Sequence, residues 1–193
     1  MLNIKNKFPE GSNPFSLFYS GKSCYVMARF CLEATFWDFY VPGFLLMQQS
    51  LENLIKSCLK QKNIGWKQEN GGYGKKGHEF KRLIGLGKDI GFFKEKIINR
   101  TDFLSLLKEL EDGYNLQRYG ASGHFIKSHE KMMDLFDEMV FIFVTGFTTL
   151  VEPRKNEQLE RLVALPIPLY LEKTFKRKLK QSFIFIDVIP LDS

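Results

Sequence analysis

Between residues 44 and 58 the chain places Phe44, Met47, Leu51, Leu54 and Cys58 at alternating steps of three and four. That period keeps all five on one side of an α-helix, whereas the faces of a strand alternate every two residues. A seam of this kind needs partner helices, and the sequence offers them. Val26, Phe30, Ala34 and Trp37 form a stripe over residues 20–40, with Met27, Cys31 and Thr35 as a second one beside it. Phe103, Leu107, Leu110, Tyr114 and Arg118 form a third helical pattern. Met133, Phe136, Val140, Phe143, Phe147 and Leu150 form a fourth, starting near Ser128, with Glu130, Lys131, Asp134 and Asp137 off the stripe. A short helix is expected from His78 to about Leu86, with Phe80, Leu83 and Ile84 inward. No strand pattern precedes residue 150. The expected fold is mainly α, an up-down antiparallel bundle of four to five helices.

Punctuation sets the boundaries. Pro42 suits the first turn of the second helix, and Thr101 suits an N-cap. Five glycines between Asn63 and Gly77 mark a loop. Beyond Glu152, Pro153, Pro166 and Pro168 break the chain, and the apolar run Phe183–Val188 reads as a strand. A small C-terminal β extension is expected there, either a hairpin or a basic helix followed by a strand. The chain thus divides into an N-terminal arm (1–19), a helical bundle (20–151) and a basic extension (152–193).

Composition narrows the function classes. The net charge of +6 is uneven, with +3 on residues 1–152 and +3 on the much shorter 153–193. That bias points to RNA or an acidic partner at Lys176, Arg177 and Lys178. Aromatic residues make up 15% of the chain, but most fall on the helical stripes, which assigns them to a core rather than to a base-stacking platform. Residues 1–11 lack the apolar run of a secretory signal, and Met139–Val151 is too short to span a bilayer, so a cytoplasmic protein without a membrane segment is expected. Cys24, Cys31 and Cys58 are an odd number. On one helix the first two would stand about 10 Å apart, too far for a disulfide. They read as small buried apolar residues. No metal-binding spacing appears, and no cofactor is implied.

Three short motifs occur in a telling order. Gln49, Glu52 and Lys56 form Q-x-x-E-x-x-x-K on the second helix. Gly77, His78 and Glu79 open the third, and Tyr114, Arg118 and Tyr119 end the fourth. This order resembles the HEPN family, the "higher eukaryotes and prokaryotes nucleotide-binding" domains, over residues 20–150. The resemblance implies a helical bundle, often a homodimer, that binds nucleotide or RNA in a defence or toxin–antitoxin setting. It implies an antitoxin or nucleotidyltransferase-like partner as well. Many members are metal-independent endoribonucleases with an Arg, four to six residues, then His. Arg118 and His124 satisfy that spacing. The Arg-Tyr form, and two glycines between Arg118 and His124, are closer to members that bind without cleaving. A weakly catalytic or non-catalytic binding protein is therefore the first expectation. An endoribonuclease is the second, and a structural interaction domain the third.

Each candidate residue has an ordinary role beside its functional one. Arg118 can cover the carbonyls of a helix end or fork onto a phosphate, with Tyr119 beside it. His124 can cap the following helix or act as a general base towards a 2′-hydroxyl. Lys75 and Lys76 sit in a glycine-rich loop that lacks the P-loop's Lys-Ser/Thr, which leaves them as simple anion contacts. His78 is expected to stabilise the start of its helix.

Overall fold

Asn13 and Pro14 start the first helix by local chemistry. The Asn13 side-chain oxygen accepts hydrogen bonds from the backbone N–H groups of Phe15 (2.8 Å) and Ser16 (3.4 Å). Pro14 follows as the first helical residue, where its missing N–H costs nothing. The computed structural model describes residues 11–33, 37–66, 78–118 and 129–151, and every element among them is helical. In chain order they are α1 (Pro14–Glu33), α2 (Trp37–Gln61), α3 (Phe80–Leu86) and α4 (Gly91–Phe93), which runs into a π-helical segment (Lys94–Ile98). These are followed by α5 (Thr101–Arg118) and α6 (His129–Leu150).

The mainly α expectation holds, with three corrections. First, α1 begins at Pro14, inside the stretch assigned to an N-terminal arm, because Asn13 caps it. Second, α2 begins at Trp37 and continues through Pro42, so proline is an interior residue rather than the start. Third, the inward face of α1 is Phe18, Tyr25, Ala28 and Leu32, while Met27 is 50% exposed. The inward face also carries Lys22 and Arg29, both buried, which hides the stripe from a hydropathy reading. The short helices over Gly91–Ile98 add to the helices expected from the sequence. The β extension at 152–193 lies outside the described residues.

α2 is the central helix, packing against α1, α3, α5 and α6. Its expected seam is buried as read: Met47, Leu51, Leu54 and Cys58 are fully inaccessible, and Phe44 nearly so. Ile55 and Leu59 are buried beside them, so apolar contact extends around most of the helix. α1 runs antiparallel along it. A Cβ added at Gly21 would meet Leu54, and one at Gly43 would stand 2.7 Å from Leu32 Cγ. α2 ends in a left-handed turn at Asn63 (φ 57°), with Ile64 N–H donating to the Leu59 carbonyl and Asn63 N–H to that of Lys60. That pairing satisfies the last carbonyls of the helix.

α6 closes the bundle with Met133, Phe136, Val140, Phe143 and Phe147, all fully buried. The Phe147 ring stacks on Phe18 at 4.4 Å, and Phe143 meets Phe93 edge-on at 5.4 Å. Asp137, read as lying off this stripe, is instead buried. It accepts a hydrogen bond from Tyr25 (3.0 Å) and pairs with Arg29 at 3.4 Å. Burial, followed by the Asp137 charge, pushes the Tyr25 phenol well above its ordinary range. Burial pulls the Lys22 amine down to about 8. No helix among the described residues is long and apolar enough to cross a membrane.

Two glycines two residues apart should respond in opposite directions. At Gly87 a Cβ would stand 2.0 Å from the buried Phe93 ring, whereas at Gly85 it would meet nothing within 4 Å. Gly87→Ala is expected to cost about 1–3 kcal/mol by overpacking. Gly85→Ala should gain about 0.4–1 kcal/mol by restricting the unfolded chain. Urea unfolding reads both, and a destabilised Gly85→Ala would contradict the packing described.

Candidate functional site

One face of α2 is polar where the rest of the helix is apolar. Gln48, Gln49, Glu52, Asn53 and Lys56 follow one another at helical spacing, with Leu45 at their N-terminal side. Across from them stand Ser12, Asn13, Ser16, Leu17 and Ser20, at the capped start of α1. Together with Trp66 and His78 they line a groove of about 770 Å³. That volume lies in the range of small-molecule sites.

Glu52 is the hub of the groove. One carboxylate oxygen meets the Lys56 ammonium one turn along and also His78 Nδ1, at 2.7 Å from the next element. Burial pushes the Glu52 carboxyl up, but the His78 hydrogen bond and the Lys56 charge outweigh it, and the group ends below its ordinary value. Glu52 is therefore ionised and can only accept, so Nδ1 of His78 must carry the proton. The His78 side chain is about half exposed. Lys56 also lies 5.7 Å from the centre of the Trp66 ring.

α3 is capped from a distance. Its own N-cap residue, Glu79, makes no side-chain cap bond. Glu111 on α5 instead accepts from the Phe80 N–H. The expectation that His78 stabilises this helix start is therefore corrected: His78 is turned to Glu52, and the cap comes from α5. Burial raises the Glu111 carboxyl above its ordinary value against the backbone hydrogen bonds it accepts. Arg118 closes α5 seven residues later, two turns and about 10 Å along the axis.

Of the three motifs, Gln49, Glu52 and Lys56 meet His78 at this groove. The Tyr114 and Arg118 side chains lie outside the described residues. So do Tyr119, His124, Lys75, Lys76, Lys176, Arg177 and Lys178. Sequence reasoning missed Gln48, Asn13, Ser16, Ser20, Asn53 and Trp66. The one signal for them was Asn13-Pro14, a helix start that brings three serines and an asparagine up to α2.

Glu52→Gln leaves the Lys56 ammonium, 9% exposed, without its counter-charge. It is expected to cost about 3 kcal/mol at neutral pH. The sign with pH follows from the lowered carboxyl. Its stabilisation is complete above the ordinary value of 4.5 and is lost as pH falls through the folded value. The gap between wild type and variant should therefore narrow on acidification below about pH 4.5. Urea unfolding over a pH series measures it, and a constant gap would rule out the ionised pair.

A search with the chain matches no protein-family model, no curated protein and no solved structure.

Proposed function

We propose that the protein binds a nucleotide or RNA at the groove between α1 and α2, with weak or no catalysis. The observation that carries this reading is the meeting of Glu52, Lys56 and His78, from two separate sequence motifs, on one groove of nucleotide size. Chain order adds to it. Lys75 and Lys76 precede His78 by three and two residues in the chain. Arg118 ends the helix whose Glu111 caps α3 beside His78. The base side of the ligand would lie in the groove, and these cations would take the phosphate. As the resemblance implies, the reading extends to a homodimer and to an antitoxin or nucleotidyltransferase-like partner in a defence setting.

Calorimetry with nucleoside monophosphates and a short single-stranded RNA tests the proposal, alongside labelled RNA incubated in EDTA. Binding without cleavage is expected. Arg118→Ala should weaken binding about tenfold or more, the loss of one charge-assisted contact. Cleavage in EDTA that disappears in both Arg118→Ala and His124→Ala would favour the endoribonuclease. Absence of binding to every ligand would overturn the proposal and leave a structural interaction domain.

A further inference from the structure

We infer that the groove reads the exocyclic amine of a nucleobase, and that Gln48 is the side chain that reads it. This inference rests on the nucleotide or RNA reading above and names the part of the ligand that the groove takes.

Gln48 is 4% exposed, and its Oε1 has no hydrogen-bond partner among the described residues. Its neighbours on the same helix are served. Ser50 donates to the Gly21 carbonyl at 2.8 Å, Ser57 to the Leu54 carbonyl at 2.7 Å, and Asn53 to Ser20 at 3.1 Å. A buried acceptor left unpaired is rare in a native fold and destabilising, and such exceptions mark functional atoms. Here the exception is in the lining of the groove. Ser12, from the same lining, also holds a buried and unpaired hydroxyl. Two unsatisfied polar atoms thus belong to side chains that line one groove.

The charge around them selects the kind of ligand. Glu52 and Lys56 neutralise each other. The remaining lining is made of Gly11, serines, Asn13, Asn53, Gln48, Gln49, apolar side chains and His78, which is engaged with Glu52. A phosphate would find no uncommitted cation among these residues. A flat, neutral ring with donors on its edge fits, its faces against Leu17, Leu45 and Trp66 and an N–H pointing at Gln48. Adenine, cytosine and guanine carry such an amine. Hypoxanthine and uracil have a carbonyl oxygen in place of the amine of adenine and cytosine, and would set an acceptor against an acceptor.

Calorimetry on the full chain with two nucleotide pairs, AMP against IMP and CMP against UMP, tests this. At least one amine-bearing nucleotide should bind about tenfold or more tightly than its partner. Gln48→Met, close in shape and without the acceptor, should bring the two members of that pair together. It should also raise the melting temperature of the ligand-free protein, because an unpaired buried atom is removed. Equal affinity within both pairs, with nucleotides still bound, overturns the inference while leaving the proposed function intact. A preference for IMP or UMP overturns it too, since it would mean an amide turned with its NH₂ towards the ligand. Loss of all nucleotide binding in the wild type overturns both. Should Gln48→Met not fold, the comparison within the wild type decides alone.

Discussion

A helix surrounded by four others has almost no water to turn to. α2 is in that position, with residues from Met47 to Leu59 buried on several sides at once. A polar group buried on it then needs a partner, and most such groups find one inside the protein. The serines do so through backbone carbonyls, and Lys56 does so through Glu52. Cys58, fully buried, points its sulfur at the Phe143 carbonyl 3.9 Å away, and burial raises its thiol beyond the reactive range. The same demand places Glu52 between Lys56 and His78 and so ties α2 to the start of α3. The candidate site is thus a product of packing: a polar face had to be accommodated, and it was accommodated around a cavity.

A second buried polar cluster holds the opposite face of α1. Tyr25 and Arg29 meet Asp137 of α6, the helix whose Phe147 also stacks on Phe18 of α1. Buried ion pairs contribute little net stability compared with apolar replacements, because desolvation offsets the attraction. Their directionality is what distinguishes them, since Asp137 takes the Tyr25 hydrogen bond and the Arg29 ion pair together only at one rotation of α1 about its axis. That rotation presents Ser16, Ser20 and Asn13 to α2. The geometry of the groove and that of the Tyr25–Arg29–Asp137 cluster are therefore set together, although they lie on different sides of the helix.

Most of the bundle was legible because its stripes are long and apolar. The seam of α2, that of α5 at Phe103, Leu107 and Leu110, and that of α6 from Met133 to Phe147 were read at buried residues, as was α3 at Phe80, Leu83 and Ile84. α1 was misread for a physical reason. Its inward positions include Lys22 and Arg29, whose stems and charges are buried against partners, while the apolar Met27 faces out. Periodicity counts hydropathy, and on this helix hydropathy and burial part company. At the site, Glu52, Lys56 and His78 were legible as motif residues. Gln48, Asn53 and Ser16 were not, because such residue types are ordinary on a surface. Only the approach of α1 makes them the lining of a cavity. The cap of α3 by Glu111 was equally hidden, since it joins residues 31 apart in the chain.

The groove's position on two packed helices bears on how it would discriminate. A site on loops can adjust its donors and acceptors to the ligand that arrives, whereas side chains held by a close-packed helix cannot. Gln48 stands one turn before Glu52 and three residues before Leu51, which is fully buried, so its backbone has little room to shift. A fixed, desolvated acceptor gives a modest gain with the right donor and a large penalty with the wrong group, because the mismatch leaves two buried atoms unpaired. A cation that meets a phosphate acts in the opposite way, attracting any nucleotide while distinguishing none. Selectivity would then reside in the neutral lining against α2.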